Sequence, residues 1–181
     1  MPKRKRSDMA HEYFWKNNEA NFGPPIKTEV NGGTHITLEI ILKKGKHYIG
    51  LRRPDGIEGH VMTPKEKASK NGMLYFCHDL IRYGESVDRC VKRIVKTQSG
   101  VNVKRFETVF LEAFIKDKKW SLKNKQWALI PHIIAEVDNL PKTGNYRNKI
   151  TEVVVFNKNT MPEDFAWWPK KDLKEFLEKY D

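Results

Sequence analysis

The chain has 181 residues, of which 39% are apolar and 11% aromatic, and it carries a formal net charge of +11. This length suits one domain of ordinary size and excludes two comfortable ones. No apolar run approaches the roughly 18 residues of a membrane span, and no apolar signal segment follows the basic start. The charge favours a polyanionic partner, either RNA or DNA or a phosphorylated small molecule.

The N-terminal part, 1–33, is predicted to be a basic tail, a short helix and a connector before a single domain over 34–181. A run of four cations in the tail resembles a nuclear import signal: Lys3, Arg4, Lys5 and Arg6. Such a run is also typical of a solvated tail that adds only charge. We therefore expect a cytoplasmic protein, or a nuclear one if the source cell has a nucleus.

Alternating apolar residues predict the first strands of the domain. Thr34–Leu42 alternates cleanly and His47–Arg53 returns after a turn, so the two form a hairpin. The loop over 54–72 is long and rich in Gly, Pro and Lys, which fits either a lid or an insertion. Met73–Cys77 is then a short apolar strand.

A helix is predicted from Ser86 to Ser99, with Gly100 just past its end. Ser86 is a good N-cap, and glycine readily adopts the left-handed conformation that ends helices. The apolar side chains recur at i, i+3, i+4, i+7 and i+8, which forms one stripe: Val87, Cys90, Val91, Ile94 and Val95.

This stretch resembles the signature of the Nudix hydrolase family, GX5EX7REUXEEXGU with U an aliphatic residue. Five positions match it in type and spacing: Glu85, Arg93, Val95, Gly100 and Val101. Gly84 together with Glu85 also matches the family's GE pair in the loop. The resemblance implies that Glu85 and Arg93 are the pair that ties the loop to the helix. We interpret both as structural rather than catalytic.

The three acidic residues that follow the arginine in the signature are missing. Its three glutamates after the arginine are here Ile94, Thr97 and Gln98, and the glycine that opens it is Asp79. Carboxylates spaced in this way share one helix face and hold the divalent cations that bridge a diphosphate and activate water. The helix therefore offers no carboxylate cluster for magnesium, and the helical periodicity places Ile94 and Gln98 within the apolar stripe.

Further strands follow the helix. Val103–Ile115 is a long strand with Phe106, Phe110 and Phe114 predicted on one face, and Trp127–Val137 returns antiparallel to it. Between them the basic tip over 116–125 carries Trp120, which either stacks on bases or folds back onto the sheet. A polar loop over 138–149 leads into a strand over 150–156.

The C-terminal segment again resembles the end of a Nudix domain, where tryptophan and proline introduce a helix. Trp168, Pro169 and Leu173 match that pattern, and a buried stripe is predicted from Leu173 to Tyr180. The resemblance runs from about residue 34 to the end. It implies an α/β fold, a Nudix-like α/β/α sandwich with a mixed sheet.

Two functions fit this pattern. The first is a non-catalytic Nudix-fold protein that binds a nucleotide, a dinucleotide or RNA and needs no cofactor. The alternative is a divergent hydrolase of nucleoside-diphosphate-linked substrates, whose magnesium ligands would lie outside the helix, in a pool comprising Asp79, Glu85, Glu136, Glu152 and Glu163. A weaker idea makes a nucleophilic or metal-binding cluster of Cys77, His78 and Asp79, although neighbours on an extended chain point to opposite faces.

Two sets of basic residues are candidates for contacts with a nucleic acid. One lies on the helix opposite the apolar stripe, and the other surrounds the aromatic side chain of the tip. The two sets comprise Arg89, Lys92, Lys96, Lys118, Lys119, Trp120, Lys123 and Lys125. If the fold brings them together they form a track for a polyanion; otherwise they are two solvated faces.

Overall fold

The structure is a computed structural model that describes residues 21–22, 34–58, 62–82, 84–114 and 127–181. The N-terminal tail, the expected short helix and the basic tip with Trp120 lie outside the described residues. Predictions for those segments therefore stay predictions.

Ten strands and three helices are described. The strands are β1 (Asn21–Phe22), β2 (Thr34–Lys44), β3 (His47–Arg53), β4 (Met73–Tyr75), β5 (Cys77–Leu80), β6 (Val103–Phe114), β7 (Trp127–Val137), β8 (Gly144–Asn145), β9 (Lys149–Ile150) and β10 (Glu152–Phe156). The helices are α1 (Pro64–Ala68), α2 (Val87–Ser99) and α3 (Lys170–Tyr180).

Within the described residues, eight strands form one mixed sheet with the central order β10-β3-β2-β7-β6. Strands β2 and β7 are parallel. The other strand pairs are antiparallel, including β1 and β5 against β2 and β4 against β3. Strands β8 and β9 form a separate small hairpin.

The core has one layer on each face of this sheet. Alternate residues of β2 divide between the layers, so that Leu38, Ile40 and Leu42 face α2 while Ile41 faces α3. The buried stripe of α2 comprises Cys90, Val91, Ile94 and Val95, and that of α3 comprises Leu173, Phe176 and Leu177. The predicted α/β/α sandwich with a mixed sheet is confirmed.

Helix α2 begins and ends as its sequence predicts. The Ser86 hydroxyl accepts a hydrogen bond from the Arg89 amide at 3.3 Å, and Gly100 ends the helix with a φ of 76°. The prediction that Val87 belongs to the buried stripe is wrong, because its side chain is 43% exposed. The helix enters the core only from Cys90 onward, so its first turn projects past the packed layer.

The predicted common face for the phenylalanines of β6 is also wrong. Phe106 packs in the α2 layer, whereas the Phe110 ring lies 6.4 Å from that of Phe176 on α3. The pairing register with β7 shifts between Thr108 and Phe110, and such an irregularity reverses the face of every later side chain. The side chain of Phe114 is outside the described residues.

The expected strand over Met73–Cys77 is two strands. Phe76 separates them, and β5 continues to Leu80 along β2, so that His78 lies opposite Glu39. The polar loop over 138–149 likewise contains β8 and the start of β9, and Thr151 interrupts the last predicted strand.

The long loop over 54–72 contains the short helix α1. The Thr63 side chain accepts from the Glu66 amide, and the Glu66 carboxylate accepts from the Thr63 amide at 2.6 Å, a reciprocal cap that starts the helix. Glu66 is buried, and Tyr75 donates to it at 2.8 Å. These bonds pack the loop against β4.

The segment before α3 is hydrogen-bonded to strand β2 of the sheet. Trp168 Nε1 donates to Glu39 Oε1 at 3.2 Å, and Pro169 occupies the N-cap position of α3. Among the described residues, no helix is long and apolar enough to cross a membrane.

Candidate functional site

The loop before α2 is braced by one carboxylate. Glu85 Oε1 accepts from Arg93 Nε at 2.7 Å, and Glu85 Oε2 accepts from Arg93 Nη2 at 2.8 Å and from the Arg82 amide at 3.0 Å. Burial alone would raise the pKa of Glu85, but the hydrogen bonds from Arg93 and Arg82 outweigh it and lower that pKa. The predicted contact between Glu85 and Arg93 is therefore present, and its purely structural role stays a prediction.

Arg93 also reaches the end of β5. Its Nη1 donates to Asp79 Oδ2 at 2.8 Å and its Nη2 to the Leu80 carbonyl at 2.8 Å. Partial burial would lower the pKa of Arg93, but hydrogen bonds to Glu85 and Asp79 prevail and raise it. The guanidinium thus links strand, loop and helix while neutralising two acids.

The three positions that lack the signature's glutamates are engaged in the fold. Ile94 is fully buried in the α2 layer, and Gln98 is 1% exposed. Gln98 Nε2 donates to the His78 carbonyl at 2.7 Å, and its Oε1 accepts from the His78 amide at 3.1 Å. The exposed Thr97 turns its hydroxyl back to the Arg93 carbonyl at 2.8 Å. No carboxylate projects from these positions.

Sequence reasoning missed the hairpin over 144–150, which packs on the C-terminal end of α2. The Arg147 amide donates to the Thr97 carbonyl at 3.0 Å. Its side chain then donates from Nε to Glu58 at 2.6 Å and from Nη1 to Asp79. Burial would lower the pKa of Arg147, but these two carboxylates raise it. Nothing in the spacing signals this contact, because Arg147 and Asp79 are 68 residues apart.

A second missed residue is Arg53, whose side chain is fully buried. Its Nη2 donates to the Gln98 carbonyl at 2.8 Å and its Nη1 to the Asn148 carbonyl at 3.3 Å. Burial lowers the pKa of Arg53. The cation is partly compensated because it meets the negative end of the α2 dipole. The sequence shows that β3 ends in arginines, but it does not show that the Arg53 side chain turns inward to the end of α2.

The other carboxylates of the alternative hydrolase site are spread over the fold. Glu136 accepts from the Gly45 amide at 3.3 Å, Glu152 from Arg52 at 2.5 Å and Glu163 from Lys170 at 2.9 Å. Asp79 and Glu85 share Arg93. In the part of the chain that the structure describes, no three His, Cys, Asp or Glu side chains are grouped to hold a metal ion.

Cys77, His78 and Asp79 do not converge. Cys77 is fully buried, and burial raises the pKa of its thiol to about 11, which disfavours a thiolate nucleophile. His78 Nδ1 lies 2.6 Å from Glu39, while Asp79 turns to Arg93. Alternation along β5 separates the histidine from its neighbours.

The basic residues of α2 are exposed as predicted. Lys92 pairs with Asp88 at 2.9 Å, and Lys96 Nζ donates to the Gly100 carbonyl at 3.1 Å. Arg89 has no carboxylate within ion-pair distance among the described residues. The second set, comprising Lys118, Lys119, Trp120, Lys123 and Lys125, lies outside the described residues.

Comparisons with known proteins show which solved structures share this architecture. No protein-family model matches the sequence, and no curated protein matches it. Solved structures do. A MutT Nudix hydrolase of Burkholderia pseudomallei matches with a TM-score of 0.54 and 13% identity, over 78% of this chain and 96% of that one. The chain has the Nudix fold.

Two further Nudix-fold structures match over most of both chains. A Nudix hydrolase of Nitrosomonas europaea has a TM-score of 0.54 and 10% identity, over 81% of this chain and 90% of that one. The pyrophosphohydrolase BsRppH of Bacillus subtilis has a TM-score of 0.51 and 14% identity, over 87% and 88%. At such identities the likeness establishes the fold and no activity.

Magnesium, which the Nudix signature implies, does not fit the donors present on α2. Mg²⁺ takes hard oxygen ligands, usually carboxylates. Here Ile94 offers no donor, the Gln98 amide is occupied by His78, and the Thr97 hydroxyl is occupied by the Arg93 carbonyl. At the C-terminal end of that face, the Thr97 carbonyl also accepts from the Arg147 amide of the 144–150 hairpin.

Proposed function

We propose that the chain is a non-catalytic Nudix-fold protein that binds a nucleotide, a dinucleotide or RNA. One observation carries the proposal: Ile94, Thr97 and Gln98, at the positions of the signature's glutamates, all serve packing or internal hydrogen bonds.

Metal-assisted hydrolysis of a phosphoanhydride needs a cation that polarises the phosphoryl oxygens and activates water. The two acids on the strand and loop that lead into α2 are already neutralised by protein cations, Glu85 and Asp79 by Arg93 and Asp79 also by Arg147. Binding a metal there would require breaking these pairs. The geometry therefore favours binding without turnover.

The ligand class follows from charge and from the fold. The net charge of +11 favours a polyanion. The Bacillus subtilis neighbour is a pyrophosphohydrolase, and a ligand containing linked phosphates is what a catalytically silent relative of such a protein would retain. Both observations support a phosphorylated ligand, as a small molecule or as RNA.

The test measures binding and turnover together. We expect wild-type protein to bind at least one of three probes, a nucleoside diphosphate, NAD and a 20-nucleotide single-stranded RNA, and to release no product in the presence of Mg²⁺. Calorimetry reports binding, and chromatography of the reaction mixture reports turnover.

Two variants separate the proposal from the divergent hydrolase. Glu85→Gln alters the braced carboxylate, and Asp88→Asn alters an exposed acid on α2 that pairs with Lys92. Turnover that disappears in Glu85→Gln but persists in Asp88→Asn, with both variants folded, would establish the hydrolase and end the non-catalytic proposal. Failure to bind any probe would also end it.

A further inference from the structure

The 144–150 hairpin brings a cation onto the helix face that lacks the signature's acids. The Arg147 amide is bonded to the Thr97 carbonyl at 3.0 Å, so the residue starts beside one of the lost ligand positions. Its guanidinium lies between Glu58 on the long loop and Asp79 on β5. The chain's own positive charge therefore stands beside the face on which a divalent cation would be expected.

The hairpin is held on α2 by close packing as well. A Cβ built on Gly100 would lie 2.4 Å from the Tyr146 ring, so the ring rests directly on the helix end. The Asn148 carbonyl accepts from the buried Arg53. Arg147 is thus placed by contacts on both sides of it in the sequence.

The two carboxylates that hold Arg147 differ in exposure. The Asp79 side chain is 16% exposed and also receives Arg93, whereas the Glu58 side chain is 60% exposed and has Arg147 as its ion-pair partner in the described residues. An exposed ion pair contributes little net free energy, because water solvates both charges well. Glu58 is therefore the partner that a stronger anion would displace.

We infer that Arg147 binds a phosphate group of the ligand directly, in place of a divalent cation, and that Glu58 occupies it until the ligand arrives. This inference rests on the proposed function. A guanidinium matches phosphate with two parallel hydrogen bonds and stays charged at any physiological pH. Asp79 remains neutralised by Arg93 when Arg147 turns to the phosphate.

The experiment uses inorganic pyrophosphate as the probe, titrated calorimetrically into the full chain in EDTA. We expect wild-type protein to bind it without metal, Arg147→Gln to weaken binding by about tenfold or more, and Glu58→Gln to tighten it by about threefold. Opposite signs for the two variants are the signature of competition, since a merely structural pair would change both in the same direction or not at all.

Arg52→Gln is the matched control. Arg52 also bridges two carboxylates, Glu152 and Asp164, each at 2.5 Å, but it lies on β3 away from α2. We expect the Arg52→Gln protein to bind pyrophosphate as tightly as the wild-type protein does. Thermal unfolding of each variant shows that the fold is retained.

The possible failures point to different conclusions. If Arg147→Gln and wild-type protein bind pyrophosphate equally well, the inference is overturned and the proposed function stands. The same conclusion follows if the protein binds a nucleotide probe but does not bind pyrophosphate. A requirement for Mg²⁺ overturns the inference and favours the hydrolase. A wild-type protein that binds neither pyrophosphate nor any nucleotide or RNA probe overturns both.

Discussion

At the scale of single residues, Gln98 is held by hydrogen bonds that an acid at its position could not make in the same way. Its amide both donates to and accepts from the backbone of His78, and the side chain is 1% exposed. A carboxylate in its place would point an acceptor at the His78 carbonyl and bury an unpaired charge. The neutral amide satisfies both backbone groups at once.

We therefore expect Gln98→Glu to lower the free energy of unfolding by about 3 kcal/mol. Thr97→Glu, on the exposed side of the same turn, should change it by less than about 1 kcal/mol. Urea unfolding of both variants and of wild-type protein is the measurement. Equal effects would mean that Gln98 is not held as described.

A second prediction concerns the ionisation of Glu85 and the pH dependence of stability that follows from it. Its pKa is lowered in the folded chain, so its stabilising contribution is complete above the pKa of about 4.3 in the unfolded chain. The contribution is lost as the pH falls through the lower, folded-state value. Glu85→Gln should thus destabilise by about 2 kcal/mol at pH 7, with the difference shrinking below pH 4. A difference independent of pH would contradict the ionised pair.

Some of these residue environments follow from the sequence and others do not. Burial of Ile94 and Gln98 follows from counting 100° per residue along α2, and the contact of Glu85 with Arg93 follows from the resemblance. The contacts of Arg147 and Arg53 do not follow, because each joins segments brought together only by the complete sheet. Local spacing contains no information about such long-range pairs.

At the scale of elements, α2 ends where Gly100 turns left-handed and receives the Tyr146 ring. Gly84 offers a natural comparison, because it has a similar φ of 70° but nothing within 4 Å of a built Cβ. We expect Gly84→Ala to cost about 1 kcal/mol, which is the backbone strain alone. Gly100→Ala should cost about 1 to 2 kcal/mol more, because the new methyl group must displace the Tyr146 ring.

Urea unfolding of the two glycine variants measures the difference. The fluorescence of Tyr146 cannot be isolated among the other aromatic residues, so amide hydrogen exchange over 144–150 serves as the second readout. Faster exchange there in Gly100→Ala, but not in Gly84→Ala, is expected. Equal stability and equal exchange would show that the hairpin does not rest on Gly100.

The elements themselves were largely predictable because strong periodicity fixes them. Helix α2 has both a cap and an apolar stripe, so its bounds agree with the structure to one residue. Strand β6 has the periodicity but not the predicted faces, because the register shift near Thr108 depends on pairing with β7. Irregular pairing is a property of two strands together, and no single segment encodes it.

At the scale of the whole molecule, the chain has the Nudix fold without the three glutamates that follow the arginine in the Nudix signature. The two layers of the sandwich need only apolar stripes on α2 and α3, and these are intact. Ile94 and Gln98 occupy two of the signature's glutamate positions on α2, and both are buried in the core. The packing that holds this fold therefore does not depend on those acids, and the fold alone implies no activity.

The last prediction concerns RNA, and it starts from the positive charge that α2 exposes. Arg89 and Lys96 are exposed on α2 and have no carboxylate within ion-pair distance among the described residues, whereas Lys171 and Lys174 on α3 lie 3.8 Å from Glu175 and Glu178. A cation without an acid partner can meet a phosphate at less cost than a paired one, since Lys96 leaves only the neutral oxygens of Gly100 and Asn102 whereas Lys171 and Lys174 must leave their acids. If α2 contacts single-stranded RNA, changing Arg89 and Lys96 to Gln should flatten the dependence of log K on log salt by about 1.4 units. The same change at Lys171 and Lys174 should leave that slope unaltered. Fluorescence anisotropy over a salt series is the measurement. Equal slopes for both double variants would mean that the α2 face is only a solvated surface.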